Sequence, residues 1–326
     1  YDQIEIETDE TWNNPRHGSD EIMKMRGWYI TPYQIYENKT NVERIIAELF
    51  SQGLTREEVD TQFGNFFGKK EGIIGVHGAG VDRRELLRHV PMWMSHGYEV
   101  LLVDCRDHGI SDGNHRGPSF GLREQHDVAT MIKYATEKLK WDNILLFGSS
   151  QGGASSLLGV YEFQKTLEKE NKTSNISCMI VENAFSEKGK LWKSAIQRVL
   201  SGQKFGRSDM SKQSFGIKLL QDYGSKLFPD VVLDAIIEIA HYELGFFPDK
   251  SDPIEIVDKI EDVRILYLHG SEDTVVPVDH SACLFEKTKS DKKLELFEGG
   301  SHAILSYQFP LEYSTIVKEF LHECHK

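Results

Sequence analysis

The sequence has few cysteines, no long apolar run and fewer basic than acidic residues. Four cysteines in 326 residues form neither a CxxC pair nor a zinc-ligand spacing, so we expect no structural zinc site. No uninterrupted apolar stretch approaches the roughly 18 residues of a membrane-crossing helix, and no transmembrane span is predicted. Lys and Arg number 38 against 51 Asp and Glu, and the net charge of −13 argues against a nucleic-acid partner, because binding phosphates requires a basic surface.

Cofactor motifs are missing as well. The stretch HGAGVDR lacks the third glycine of a dinucleotide-binding turn, and GSSQGGAS has no lysine that would contact a nucleotide phosphate. The His and Glu residues nowhere show the spacing of a metal site. We therefore expect no cofactor and no metal ion.

The cysteines and the sequons bear on the compartment of the protein. Cys105 and Cys178 lie in strand-like segments, where free buried thiols are expected, and a pairing of Cys283 with Cys324 stays open. The chain starts at Tyr1 instead of Met, which indicates a processed or trimmed product. Both this start and three Asn-x-Ser/Thr sequons, at Asn38, Asn171 and Asn175, favour a secretory destination. The cytoplasm is the alternative.

Short apolar runs alternate with helical patterns through most of the chain. Most of the runs are continuously apolar, as in strands that are covered on both faces. They are GWYI (27–30), GIIGVHG (72–78), YEVLLVDC (98–105), NILLFGS (143–149), ISCMIVEN (176–183), VRILYLHG (263–270) and KLELFEGG (293–300). Helix candidates lie near residues 82–96, 122–139, 152–169 and 310–322. This order predicts an α/β fold with a mostly parallel central sheet and helices on both faces.

Two segments interrupt the alternation. The first, at about residues 34–68, is predicted to be a helical insertion that follows an N-terminal extension. The second lies between the strand ending near residue 183 and the strand beginning near residue 263. We assign residues 1–185 and 253–326 to one α/β core and residues 186–252 to a helical cap or lid. Extra helices that complete the core are the alternative for the second segment.

One predicted strand ends abruptly at a serine, in NILLFGSSQGG. Gly148 to Gly152 fit the pattern G-x-S-x-G, with Ser150 and not Ser149 at its centre. Such a strand-to-helix turn exposes the hydroxyl at the carboxyl edge of a parallel sheet, where ligands bind. Ser150 is therefore the predicted nucleophile, and the N–H of Gln151 at the start of the next helix is a predicted oxyanion donor. A Gly/Ser-rich helix start without a chemical role is the alternative.

A serine nucleophile requires a base and an acid that orients the base. His302 lies in EGGSHAI, directly after the last predicted strand, and Asp273 follows the preceding strand in LYLHGSEDTVVP. Both side chains are therefore expected at the same edge of the sheet as Ser150. Their chain order, Ser then Asp then His, is typical of one particular fold. Glu182, at the end of its own strand, is a rival candidate for the acid.

Taken together, these motifs resemble the α/β-hydrolase superfamily. The resemblance covers about residues 27–322 and rests on VHGAG, VDCRDHGISDG, GSSQGG, HGSEDTVVP and GGSHA in that order. The pattern is similar to that of monodomain serine hydrolases related to serine aminopeptidases and to depalmitoylase-like hydrolases, although Asp107 and Gln151 replace their usual glycine and methionine. The resemblance implies that the N–H of Ala79, or alternatively of Gly80, is the second oxyanion donor. Three further histidines are expected to brace loops, namely His77, His108 and His280.

The predicted function is that of a serine hydrolase acting on a carboxylic ester, thioester or amide. In the expected acyl-enzyme mechanism, Ser150 attacks the acyl carbon, His302 transfers the proton and Asp273 orients the imidazole of His302. The expected partner is a small-molecule or acyl-chain ester, while peripheral contact with a membrane and the oligomeric state stay open. Two alternatives are a catalytically silent binding or structural protein with this fold and an acyltransferase that uses the same residues.

The predicted cap contains a basic segment. Residues 186–226 carry nine Lys and Arg against three Asp and Glu. One hypothesis is that this segment attracts anionic substrates or an anionic lipid surface. An apolar helical face would then receive an acyl chain, and it consists of Leu191, Trp192, Ile196 and Val199. A solvated helix face without a binding role is the alternative.

Overall fold

An eight-stranded sheet organises the protein. The computed structural model describes residues 1–13, 20–31, 47–48, 50–55, 70–113, 117–200 and 252–324. The strands are β1 (Asp2–Asn13), β2 (Asp20–Ile30), β3 (Glu71–Val76), β4 (Glu99–Val103), β5 (Asn143–Ser149), β6 (Ile176–Glu182), β7 (Arg264–Gly270) and β8 (Lys292–Phe297). Their order in the sheet is β1-β2-β4-β3-β5-β6-β7-β8. The first two pair antiparallel and β2 joins β4 antiparallel, whereas every later pair is parallel, which confirms the predicted mostly parallel sheet.

Helices cover both faces of this sheet. They are α1 (Val90–Ser95), α2 (Glu124–Tyr134), α3 (Gln151–Lys169), α4 (Lys188–Leu200), α5 (Asp279–Lys287), α6 (Leu305–Gln308) and α7 (Pro310–Cys324). One apolar core lies between the sheet and α2, α3 and α5, where Met131 and Leu157 are fully buried. A second core lies between the opposite face and α1, α6 and α7, where Trp93 and Val317 are fully buried. Burial of each such side chain contributes about 1.5–3 kcal/mol, so the two cores hold the sheet from both sides.

The N-terminal hairpin, formed by β1 and most of β2, is not predicted from the sequence. Within β1, Ile4 and Ile6 alternate with Glu5 and Glu7, so this strand contains no continuous apolar run. Ile6 is buried, while Glu5 accepts a hydrogen bond from Lys24 of β2 at 2.7 Å. Alternation is expected here because the hairpin forms an antiparallel edge of the sheet, one face of which can contact water.

The expectation of a free thiol at Cys178 is wrong, since Cys178 of β6 forms a disulfide with Cys324 at the end of α7. The open pairing of Cys283 with Cys324 is therefore also excluded, and Cys283 is free. Cys105 is free and buried, as predicted. The bridge joins residues that are 146 positions apart, and it fixes the last helix to a central strand.

The two ends of the predicted cap lie next to each other. Lys188 at the start of α4 is 1% exposed, and its Nζ lies 2.9 Å from Oδ1 of Asp252. The backbone N–H of Lys188 donates to the same oxygen, and the N–H of Ile254 donates to the carbonyl of Ser186 at 3.1 Å. Residues 186–188 and 252–254 therefore lie next to each other on the core, and the assignment of residues 186–252 to a cap stays a prediction.

Some sequence predictions lie outside the described residues. Of the predicted insertion at 34–68, only residues 47–48 and 50–55 are described, and the cap residues 201–251, which include VVLDAIIEIA, are not. Among the described residues, no helix is long and apolar enough to cross a membrane.

Candidate active site

Strand β5 ends in a tight turn that presents Ser150. This residue has φ 55° and ψ −118°, a left-handed conformation that is strained for a residue with a side chain. Its N–H donates to the carbonyl of Glu182 on the neighbouring strand at 2.7 Å. The turn requires glycine at Gly148 and Gly152, because a Cβ at either position would meet backbone atoms well inside van der Waals contact. The pattern G-x-S-x-G therefore has a steric cause in this chain.

Three side chains from separate loops meet at this turn. The Nε2 atom of His302 lies 2.9 Å from the Oγ of Ser150, and its Nδ1 atom lies 2.7 Å from Oδ2 of Asp273. An ionised carboxylate only accepts, so Nδ1 carries the imidazole proton and the lone pair of Nε2 faces the serine. Ser149 is not part of this chain of hydrogen bonds, since its Oγ donates to Glu85.

The carboxylate of Asp273 is buried among hydrogen-bond donors. Its Oδ1 accepts the N–H groups of Val275 and Val276 at 2.8 and 2.9 Å, and its Oδ2 also accepts from Nδ2 of Asn183 at 2.8 Å. Burial acts to raise the pKa of Asp273, but hydrogen bonds with His269 and His302 outweigh it and hold that pKa below its usual range. The group is therefore an anion at neutral pH.

Asn183 is a site residue that the sequence reasoning missed. Besides binding Asp273, its Oδ1 accepts the N–H of Ala303, next to His302, at 3.3 Å. The side chain thus links the acid to the histidine loop. A polar residue directly after a buried strand, in IVEN, is the available signal, but a single asparagine has no distinctive spacing.

Glu182, the rival acid, makes different contacts. Its Oε2 accepts the phenol of Tyr313 at 2.7 Å, and its Oε1 lies 3.7 Å from Nη2 of Arg88. The side chain is fully buried, and this burial raises the pKa of Glu182 despite the nearby Arg88. The hydrogen bond with His302 therefore belongs to Asp273, while Glu182 bonds to a helix on the second core.

The glycine-rich loop after β3 lies beside the serine. A Cβ placed on Gly78 would be 3.5 Å from the Cβ of Ser150. Gly80 donates its N–H to Nε2 of His108 at 3.3 Å, whereas no hydrogen bond from the Ala79 N–H is found within the described part of the chain. This difference favours Ala79 over Gly80 as the donor that a substrate can use.

Two of the remaining predicted histidines and two buried ion pairs form hydrogen bonds with backbone groups of the loops around the site. Nδ1 of His77 lies 2.8 Å from the Gly78 carbonyl, and its Nε2 accepts the N–H of Cys105. His280 accepts the N–H of Ser186 at the base of the predicted cap. Two buried ion pairs each have one partner in the loop after β4, and their carboxylates accept backbone N–H groups as well. These pairs are Arg83 with Asp104 and Arg106 with Asp127.

An apolar cluster adjoins the serine turn. It consists of Ala154, Phe185, Leu191 and Val276, with Phe120 and Val275 partly buried against them. Trp192 of α4 contacts Phe120 edge to face, with ring centroids 4.9 Å apart. Since Ala154 donates its N–H to the Ser150 carbonyl at 3.2 Å, the cluster lies one helical turn from the serine.

Part of the predicted basic segment is neutralised. Lys188 pairs with Asp252, and the Nζ of Lys190 lies 2.6 Å from Oδ2 of Asp279. These two cations already have acidic partners, which weakens the hypothesis of an anion-attracting surface. Five of the nine basic residues of the segment lie beyond residue 200, outside the described ranges.

Comparisons with known proteins agree with this architecture. Residues 69–201 match the family model described as serine aminopeptidase, S33. An uncharacterised Bacillus subtilis protein, YqkD, is 23% identical over 254 residues, which cover 76% of this chain and 70% of that protein. The esterase Pf2001 of Pyrococcus furiosus superposes with a TM-score of 0.60 at 17% identity, covering 99% of this chain and 90% of that one. Est1E of Butyrivibrio proteoclasticus, solved with ferulic acid bound, gives a TM-score of 0.54 at 18% identity, covering 92% and 95%.

The chain therefore has the α/β-hydrolase fold, as its motifs predict. Its resemblance to serine aminopeptidase-like hydrolases is confirmed over the segment that runs from β3 into α4.

Proposed function

We propose that the protein is a serine hydrolase that cleaves a carboxylic ester, thioester or amide through an acyl-enzyme intermediate. The observation that carries this proposal is the continuous hydrogen-bonded chain from Ser150 through His302 to Asp273. The similarity to the serine aminopeptidase family and to structures described as esterases supports a hydrolase of this fold. Since a fold does not define a reaction, the side chains at the serine turn carry the argument.

The chemistry follows from the hydrogen-bond directions. Ser150 Oγ attacks the acyl carbon while its proton passes to Nε2 of His302, and the imidazolium is stabilised by Asp273. Collapse of the tetrahedral intermediate transfers that proton to the leaving group and leaves the acyl group on Ser150. Water then attacks the acyl-enzyme with His302 again acting as the base.

The negative charge of the tetrahedral intermediate requires donors that are already in place. Two are proposed, the N–H of Gln151 at the start of α3 and the N–H of Ala79 in the loop after β3. A helix N-terminus favours such a charge, and fixed backbone donors need no rearrangement during the reaction.

Labelling with a fluorophosphonate probe tests the nucleophile. Ser150→Ala should abolish both labelling and ester hydrolysis, whereas Ser149→Ala, a matched change one residue earlier, should retain substantial activity. Labelling that survives in the Ser150 variant would refute the assignment. A panel of esters of graded chain length, assayed with and without an alcohol acceptor, then separates hydrolysis from acyl transfer, and a silent protein would neither label nor turn over.

A further inference from the structure

A carboxylate joins the two loops of the proposed site. Glu85 lies in the 3-10 turn (Arg83–Arg88) that follows the glycine-rich loop. Its Oε2 accepts the N–H of Gly78 at 2.9 Å, and its Oε1 accepts the hydroxyl of Ser149 at 3.1 Å. These two partners directly precede the proposed oxyanion donor and the proposed nucleophile in the chain. The side chain of Glu85 is 12% exposed, so water competes little for either bond.

The peptide that carries the Ala79 N–H is held from both sides. His77 binds the carbonyl of Gly78, which belongs to the same planar trans peptide as the Ala79 N–H. In a trans peptide the carbonyl and the N–H have opposite directions, so fixing the first fixes the second. Glu85 holds the preceding N–H, on Gly78, and thereby limits rotation of the chain on the other side.

Arg88 extends the connection to the histidine loop. Its Nη1 donates to the Glu85 carbonyl at 2.6 Å, and its Nη2 donates to the carbonyl of Ala303, next to His302, at 3.1 Å. The same Nη2 lies 3.8 Å from Oε1 of Glu85, so a positive charge accompanies the carboxylate. The 3-10 turn therefore contacts the three loops that carry the proposed oxyanion donor, the proposed nucleophile and the proposed base.

We propose that Glu85 is a positioning residue that sets the distance between the Ala79 N–H and Ser150. This inference rests on the proposed function, and it assigns Glu85 no contact with the substrate. A carboxylate suits the role because each of its oxygens accepts one bond, one from each loop. Glutamine can replace it, because its oxygen can accept from Gly78 while its NH₂ donates to the Ser149 hydroxyl. An apolar side chain can make neither bond.

The test compares Glu85→Leu, which fills the volume, with Glu85→Gln, which restores the hydrogen bonds without the charge. Loss of a whole oxyanion donor costs about 10²–10³ in kcat, so a displaced donor in the Leu variant should cost about 10- to 100-fold with KM little changed. The Gln variant should recover most of that loss. Glu162→Gln, which removes a half-exposed carboxylate bound to His126 on another surface, should behave as wild type.

A second readout excludes a purely structural effect. A trifluoromethyl ketone adds to a nucleophilic serine, and the resulting oxyanion needs the same donors as the transition state. Its inhibition constant should therefore increase in the Leu variant by the same factor by which kcat/KM decreases. Rates should be expressed per fluorophosphonate-titrated site, so that a smaller folded fraction leaves them unchanged.

Several results would overturn the inference. Wild-type kcat per site in the Leu variant would do so, and so would equal losses in the Leu and Gln variants, because charge and not hydrogen bonding would then matter. Should the Leu variant not fold, Glu85→Asp is one methylene too short to reach both loops, and wild-type kcat in that variant would also count against Glu85. A wild-type enzyme that neither labels nor hydrolyses any ester would refute the proposed function instead.

Discussion

Replacing Asp273 by asparagine should impair the enzyme far more than replacing Glu182 by glutamine. Every described neighbour of the Asp273 carboxylate is a donor, including Nδ2 of Asn183 and Nδ1 of His302. The NH₂ group of an asparagine would face one of these donors in either orientation. A change of tautomer removes one such contact between two donors at the least cost, because Nδ1 of His302 then accepts while Nε2 carries the proton. This tautomer cannot deprotonate Ser150.

The expected loss is large because the base is disabled while the fold is kept. A wrong tautomer in a triad of this kind costs on the order of 10⁴ in kcat, which is about 5 kcal/mol of transition-state stabilisation. Glu182→Gln replaces a buried carboxyl group by an amide, and the amide oxygen still accepts from Tyr313. We expect that variant to lose less than about tenfold, or about 1.4 kcal/mol.

The assay is kcat for one reactive ester, measured at neutral pH and normalised to folded protein by near-ultraviolet circular dichroism. Normalisation matters because Glu182 is fully buried, and its variant is the one more prone to lose stability. A larger loss per folded molecule for Glu182→Gln than for Asp273→Asn would show that the orienting acid lies at the end of β6 and that the reasoning about donors is wrong.

Two further predictions concern stability. In denaturant without reductant, only Cys105 and Cys283 should react with a thiol reagent, and four reactive thiols would exclude the Cys178–Cys324 disulfide. Reduction of this disulfide should lower the free energy of unfolding by about 2–5 kcal/mol. Burial lowers the pKa of His280 to about 4, so between about pH 6.5 and pH 4 the unfolded chain binds a proton that the folded chain does not. Stability should therefore fall as the pH decreases through this window, by at most about 3 kcal/mol from this group, and His280→Asn should flatten the slope of denaturant-derived stability against pH. An unchanged slope would mean that His280 is not buried in its neutral form.

The three residues of the proposed triad could be predicted because each follows a predicted strand within a few residues. An apolar or mostly apolar run identifies each strand, and the parallel order brings the following loops to one edge of the sheet. Ser150, His302 and Asp273 could be identified from the sequence in this way, and the structure brings their side chains within hydrogen-bond distance.

Contacts between distant segments that no sequence motif marks could not be predicted. Glu85 reaches Ser149 across 64 positions, and Cys178 meets Cys324 across 146, so neither pair has a spacing that a single sequence reveals. Both depend on how a turn or a helix packs on the sheet, which is fixed by the two cores and not by a local motif. The N-terminal hairpin could not be predicted for a different reason, because the apolar residues of β1 alternate with charged ones and form no continuous apolar run.

The two acidic candidates illustrate how surroundings divide roles between residues of the same charge. Burial raises the pKa of Glu182, while hydrogen bonds with His269 and His302 hold the pKa of Asp273 below its usual range against the effect of burial. An acid that orients an imidazole and stabilises its protonated form must be ionised at the working pH, and this requirement favours Asp273. Glu182 contributes through its backbone instead, because its carbonyl accepts the Ser150 N–H at 2.7 Å and helps to hold the serine in its strained conformation.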